Sequence, residues 1–274
     1  LEGAVLEAAA AAPAEARPRV AFWDVDAPAT LAELEAQPDH PLRRHLPLYD
    51  YVFTYGGGPP VVRRYLQLGA RCCYPIYNGL DPETHYPEAA DARWHADVTF
   101  LGHRLPDREA RVQHFFLKAA QGCSAHTFLL AGEGWGNLEL PTNVKVCGFV
   151  PPSQHNRLNA SARFVLNLNR ASMVEAGFSP PTRIFEAAGA GAAIITDTWP
   201  GISLFFEPGR EILLATGPTD IATHLTHLSP AAAAEMGARA RERALSEHSY
   251  ARRARRVHEL LHAAPAPAAR AEGG

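Results

Sequence analysis

Sulfur is scarce in this chain, with two methionines and four cysteines. Cys72 and Cys73 are adjacent and Cys123 and Cys147 stand far apart, which fits neither a zinc pattern nor a small disulfide scaffold. Reduced thiols and a cytoplasmic setting are the simple expectation. No apolar run approaches the roughly 20 residues of a membrane-spanning helix. The Ala-rich start, Leu-Glu-Gly-Ala, has no basic region before it, so a secretion signal is not expected. A net charge of −3 gives no cationic excess for a phosphate backbone, and no nucleic-acid partner is expected. There is no Gly-x-Ser-x-Gly elbow, no P-loop and no spaced-glycine dinucleotide fingerprint. No repeat recurs at solenoid spacing. His224 and His227 share a helix face without a third ligand, so they read as surface residues.

What the chain does carry is alternation. Its 274 residues suffice for two domains, and 47% are apolar. Short β-rich runs at 19–25, 49–55, 72–77, 97–102, 127–131, 144–148, 163–168, 193–196 and 211–215 read as strands. Amphipathic stretches at 106–121, 152–160 and 180–189 lie between them, and helices at 230–246 and 249–262 close the chain. Such alternation predicts an α/β fold with parallel sheets covered by helices. The Gly-, Pro- and His-bearing stretch 78–96 reads as a linker. Residues 97–215 supply six strands, a whole Rossmann-like domain, whereas 1–77 supply three. Residues 263–274, rich in Ala, Pro and Gly, read as a disordered tail.

The most informative segment runs from Gly177 to Asp197. Ser179 reads as a helix N-cap and Pro180 as the first helical position. Arg183 and Glu186, three apart, share one helix face. Gly189 and Gly191 end the helix before the buried strand Ala193-Ile-Ile-Thr196. A helix start attracts phosphate, an Arg one turn in adds charge-assisted hydrogen bonds, and a carboxylate beyond it can accept from both ribose hydroxyls. Because Pro180 and Pro181 lack amide hydrogens, the Ser179 hydroxyl, Thr182 and the Arg183 guanidinium carry the expectation. The competing reading is a capped helix with a surface Arg–Glu pair.

Other candidates sit at strand ends. Asp24 and Asp26 point to one face of a strand. Asp26 is a candidate general base for an acceptor hydroxyl, or else it caps the turn at Ala27-Pro28. Metal binding there is the weaker reading, and no metal requirement is expected. Gly56-Gly-Gly-Pro-Pro60 reads either as a ligand-facing turn or as a plain strand–helix turn. After the strand at 97–102, Gly102 and Arg104 are candidates for the donor phosphates. His103 is a candidate acid or a donor to leaving phosphate oxygens. Asp107 and Arg108 read instead as a helix-start pair. Trp135 packs on a sugar or covers a core edge. Asn167 and Asn169 share a strand face, to contact a ligand or to tie loops.

These motifs, in this order, resemble the CgeB-like (spore maturation protein B type) glycosyltransferases, which are similar to group 1 glycosyltransferases of the GT-B fold. The resemblance rests on Phe22-Trp-Asp-Val-Asp-Ala-Pro28, Tyr49–Pro60, Tyr77–Pro87, Thr99–Arg108, Asn167–Arg170 and the Gly177–Asp197 segment. It implies two Rossmann-like domains, a partial acceptor-side domain over 1–88 and a nucleotide-sugar domain over 89–247. It also implies that helix 248–262 crosses back to the first domain. Family members carry further βα units before the equivalent of Arg19, so the chain reads as lacking the front of that domain. Glu186 is implied to hold ribose, and Phe149 to lie in a turn that reads the base. Many retaining relatives carry Glu, seven residues, then Glu. Here Phe178 occupies the first position, and the stereochemical outcome stays open.

The implied activity is hexosyl transfer from a nucleotide-diphosphate sugar to the hydroxyl of a glycan, lipid or protein. Donor binding without turnover, or a related epimerase or hydrolase, are the alternatives. The basic run Arg252-Arg-Ala-Arg-Arg256 reads first as a solvated helix face and second as a weak contact for anionic lipid.

Overall fold

The computed structural model describes residues 2–263. The reading of 263–274 as a disordered tail therefore falls outside the described residues, apart from Ala263. Two compact units are present. Among the described residues, the first comprises 2–77, Ala176–Ser179 and 253–263. The second comprises Asn78–Glu175 and Pro180–Arg252.

The first unit opens with α1 (Glu2–Ala11), a helix the sequence reading did not anticipate. Its sheet has three parallel strands, β1 (Ala21–Asp24), β2 (Tyr51–Thr54) and β3 (Cys73–Pro75), in that order. One face is covered by α2 (Ala27–Ala36), α3 (Pro41–His45) and α4 (Gly58–Gln67). Leu31, Leu34, Leu46, Val61 and Tyr65 form the core there. On the other side, Tyr51, Phe53 and Ile76 pack against Leu260 of the chain's last helix, Tyr250–His262.

The second unit holds six parallel strands: β4 (Ala96–Leu101), β5 (Phe128–Ala131), β6 (Val144–Val146), β7 (Ala162–Asn167), β8 (Ile194–Asp197) and β9 (Leu213–Ala215). Their spatial order is β6-β5-β4-β7-β8-β9, the doubly wound arrangement whose order reverses between β4 and β7. β5 and β8 are buried at every position, as strands covered on both faces must be. The helices are α5 (Pro106–Val112), α6 (Lys118–Gly122), α7 (His155–Ala160), α8 (Ala171–Ala176), α9 (Thr182–Gly189), α10 (Pro218–His227) and α11 (Pro230–Glu247), followed by the closing helix α12 (Tyr250–His262). The single helix expected over 106–121 is broken by a π-helical turn at Gln113–Leu117. That turn places Phe115, Phe116 and Leu117 together in the core.

Several local expectations are corrected. Ser179 is not the N-cap of α9. Each residue before a proline is driven to extended backbone, so Ser179 and Pro180 cannot be helical, and the N-cap falls on Pro181 (ψ 149°). The Ser179 hydroxyl instead accepts from Gly57 N (3.0 Å) and donates to Gly177 O (2.9 Å). Phe178, beside it, has φ +46°, a costly left-handed conformation for a bulky residue. The stretch 78–96 is more than a linker, because Leu80 is buried and bridges in parallel to Ser249. His224 is not a free surface residue, since its Nε2 hydrogen-bonds Leu214 O (2.8 Å). Among the described residues no helix is long and apolar enough to cross a membrane.

Helix α9 is held closely. A Cβ on Gly189 would lie 2.4 Å from Leu80 Cδ1 and 2.8 Å from His85 O, and one on Gly237 would lie 2.2 Å from Gly191 O. Glycine at these two positions lets α9 settle against the 80–85 loop and α11 against the turn that follows α9.

Candidate functional site

In doubly wound sheets ligands bind at the carboxyl ends of the strands, near the order reversal. A recess of about 160 Å³ lies there in the second unit. Leu101, Gly102 and His103 after β4, Gly132 after β5, and Phe149 and Val150 after β6 line it, with Pro152, His155 and Arg183.

Backbone hydrogen bonds set its floor. Gly102 N donates to Ala131 O (2.9 Å), and Gly132 N donates to Gly148 O (2.6 Å). Gly132 (φ +119°) comes so near Gly102 that a Cβ would lie 2.2 Å from its carbonyl oxygen. Trp135 is fully buried and donates from Nε1 to Gly102 O (2.7 Å). It is therefore a core residue that supports the loop, and a sugar platform is excluded for it in this arrangement.

Glu133 N donates to His103 Nδ1 (3.3 Å), so in the neutral ring the proton sits on Nε2, free to be donated. The His103 ring lies near-parallel to that of Phe149, 11° apart with centroids at 6.4 Å. Phe149 is 59% exposed, a large apolar ring left open beside the recess. His155 Nε2 hydrogen-bonds Val150 O (3.1 Å). Burial, and then the nearby Arg183 charge, hold the His155 pKa below its ordinary value.

Arg183 and Glu186 come from α9. Arg183 Nη1 is 3.1 Å from Glu186 Oε2, yet both atoms are buried without a hydrogen bond. Burial pushes the guanidinium's pKa down, and Glu186 offsets part of that. The pair is thus half-buried, with one buried atom on each side left with hydrogen-bonding capacity that a ligand could take up. Thr182, at the first helical position, is exposed.

The structure brings Gly102, His103, Phe149 and Arg183 around one recess, with Glu186 attached through Arg183. Two other candidates are engaged elsewhere. Arg104 places Nε and Nη2 on the two Glu109 carboxylate oxygens (2.8 and 2.6 Å) and Nη1 on Gly134 O (3.3 Å). Asn169 is 1% exposed and belongs to a buried polar knot. Its N–H donates to Asp197 Oδ1 (3.1 Å), and its Oδ1 accepts from Asn167 Nδ2 (3.2 Å). Asp197 Oδ2 in turn accepts from Arg111 Nη2 (2.6 Å). Burial raises the Asp197 pKa, and the Asn169 amide and Arg111 counter it.

Asp26 and Ser179 fall in the first unit. Asp26 occupies the N-cap position of α2, but its side chain makes no cap bond. The turn is tied by Asp24, whose Oδ1 accepts from Asp26 N (2.9 Å) and Thr30 Oγ1 (3.0 Å), while Oδ2 accepts from the Tyr65 hydroxyl. Asp26 itself is exposed. Asp107 is bound by Arg170, not by Arg108. Arg108, read from the sequence as the helix-start partner of Asp107, instead reaches His103 O from Nη1 (3.3 Å), and burial holds its pKa down. His155 was missed. Its only sequence cue is the Pro151-Pro152 helix opening that directly follows the 148–150 turn.

A glycosyl transferase-like family model matches residues 108–259, more than half of the chain. No protein of curated function matches it in sequence. Among solved structures, HepE of Anabaena, captured with UDP and glucose, superposes with a TM-score of 0.66 at 18% identity, covering 96% of this chain and 76% of HepE. Sucrose-phosphate synthase of Thermosynechococcus elongatus gives 0.63 at 16% identity, covering 93% and 64%. A glycosyltransferase of Rickettsia africae gives 0.61 at 10%, covering 84% and 66%. These likenesses establish the GT-B fold class.

Proposed function

Because the chain belongs to the glycosyl transferase-like family, we propose that it transfers a hexose from a UDP-sugar to an acceptor hydroxyl, as a CgeB-like enzyme of the cytoplasm. The observation that carries this reading is the half-buried Arg183–Glu186 pair, whose facing Nη1 and Oε2 atoms make no hydrogen bond and which lies next to a recess at the strand ends. Uridine is favoured as the base because HepE was captured with UDP and with UDP-glucose.

In the reaction the bond from the anomeric carbon to the diphosphate oxygen breaks, and a bond from that carbon to the acceptor oxygen forms. The acceptor's proton leaves to a base, and the diphosphate departs with its charge. Phe149 meets the flat face of the uracil, and Glu186 accepts from the ribose hydroxyls. Arg183 is the phosphate ligand, with a guanidinium fork suited to two oxygens. Gly102 lets the backbone approach, and the Nε2–H of His103 donates to a leaving phosphate oxygen. Thr182, the Ser179 hydroxyl and Arg104 are further donor contacts in this proposal. For Arg104 this requires exchanging Glu109 for phosphate, and for Ser179 exchanging Gly177 O. Asn169 holds the loop after β7 and offers its unpartnered Nδ2. Asp26, exposed and without a cap bond, is the proposed base for the acceptor. Leaving-group charge is offset by these donors and the α9 start, so no metal is required.

Calorimetric titration with UDP, GDP, ADP, CMP and dTDP tests the reading. Saturable binding of UDP, weakened at least tenfold in Arg183→Ala and unaffected by EDTA, is expected. UDP affinity unchanged in both Arg183→Ala and Glu186→Ala would remove the premise. Turnover of the UDP-sugar without an acceptor would replace transfer by hydrolysis or epimerisation.

A further inference from the structure

The hydrogen-bonding character of the recess at the strand ends comes from few side chains. Among the described residues that line it, only His103, His155 and Arg183 are polar, and the others are apolar or glycine. Arg183 offers N–H donors and no acceptor. His103 Nδ1 already accepts from Glu133 N (3.3 Å), so that ring presents a donor, Nε2–H.

His155 is the opposite case. A carbonyl oxygen only accepts, so the contact of His155 Nε2 with Val150 O (3.1 Å) puts the ring proton on Nε2. In the neutral imidazole Nδ1 is then a bare acceptor. It has no partner in the protein, and it is not among the unpartnered polar atoms sealed from solvent. Because His155 lines the recess, that nitrogen is available to a ligand seated there. It is the one side-chain acceptor in the wall. The recess, about 160 Å³, is smaller than a site for a whole small molecule, and it suits a single ring better than a fused pair.

The pyrimidine bases differ at this point of their pairing edge. Uracil carries a ring N–H there, whereas cytosine presents a bare ring nitrogen. Two bare nitrogens set face to face form no hydrogen bond, and a site built to accept an N–H discriminates strongly against an analogue without one. Resting on the donor reading above, we propose that His155 selects the base: its Nδ1 accepts from the ring N–H of a uracil-type base and rejects cytosine, and protonation of that nitrogen removes the preference.

The surroundings keep the ring neutral. His155 is faced by Arg183 and Glu186 of α9 and by His85. Burial and then the Arg183 charge lower its pKa, with a smaller push from His85, while the bond to Val150 O and Glu186 oppose them. The acceptor is therefore present at neutral pH. It is lost only as the pH falls below the ordinary histidine value of about 6.5.

UDP and CDP are the probes, titrated calorimetrically into the intact chain between pH 8 and about pH 5. They share ribose and diphosphate, so the ratio of their affinities isolates the base. At pH 8 UDP should be preferred at least tenfold, and the preference should shrink toward unity at the acid end. In His155→Leu the ratio should be near unity at every pH. His155→Asn, whose amide can turn either its oxygen or its NH₂ to the base, should recover UDP affinity, admit CDP and show a ratio independent of pH. Arg183→Ala should weaken both nucleotides alike and leave the ratio unchanged. A fold defect lowers both affinities together, so it cannot imitate the expected change in ratio. A wild-type ratio near unity at pH 8, or one that does not change with pH, overturns the proposal. So does a wild-type ratio in His155→Leu; if UDP binding still depends on Arg183, that result leaves the donor reading standing. Failure of folded wild-type protein to bind either nucleotide overturns both.

Discussion

Replacing Gly189 by alanine should destabilise the protein, although the same change in an open helix would stabilise it. Alanine is favoured over glycine in a helix interior by about 1 kcal/mol. Here the new methyl would lie 2.4 Å from Leu80 Cδ1, 2.8 Å from His85 O and 3.1 Å from His85 Cβ. The Leu80 methyl ends a side chain, but Leu80 is buried, and His85 O is backbone and cannot rotate away. Overpacking of this kind costs about 1–3 kcal/mol. Set against the propensity gain, the expected net loss is about 0–2 kcal/mol. That corresponds to a fall in melting temperature of up to roughly 8 °C for a chain of this size. Because α9 carries Arg183 and Glu186, UDP affinity should fall severalfold with it. Thermal unfolding by circular dichroism reads the first effect and calorimetry the second. Gly122→Ala is the control: nothing lies within 4 Å of a Cβ there, so it should be neutral or stabilising. A Gly189→Ala protein that melts at or above the wild type would refute the close-packing argument.

Three further outcomes are expected. Tyr65→Phe removes the phenol that donates to the buried Asp24 carboxylate, and urea unfolding should show a loss of about 1.5–3 kcal/mol, the range for hydrogen bonds to charged groups. Ser179→Asp would be harmless at a helix N-cap, but here it sets a carboxylate against Gly177 O. Its urea midpoint should fall below that of Ser179→Ala, and the reverse order would restore the capping role. Hydrogen bonds from Arg93 hold Asp91 down from 3.8 to about 2. Its contribution to stability is therefore present above pH 3.8 and is lost as the pH falls toward 2. The stability gap between wild type and Asp91→Asn, followed by urea titration at successive pH values, should close over that interval.

Of the nine strands among the described residues, β2, β5 and β8 were the most legible, because parallel strands buried on both faces are written as short apolar runs. The helices of the first unit were harder. Half of α1 is Ala and it carries no marked apolar stripe, and α3 has five residues. The Arg183–Glu186 contact followed directly from helical spacing. What spacing could not foresee was competition for the same groups. Arg104 meets Glu109 five residues on, across the α5 start. Arg170 takes Asp107 from 63 residues away, and Ser179 reaches back 122 residues to Gly57. A residue's type and local pattern say what it can bind, and the tertiary fold decides which partner arrives first.

The first unit is assembled from three separated stretches of chain, and one layer of its sheet packing comes from α12. On the ribosome, β1, β2 and β3 emerge early but wait for Val257, Leu260 and Leu261, which are among the last residues described. The second unit is encoded almost entirely in between, so it can complete its sheet first. Folding order can thus invert the order of the units in the chain, and Tyr51 and Phe53 stay exposed on one face until α12 has been made. A released chain truncated after Arg252 should therefore show a protected second unit and a first unit open to protease.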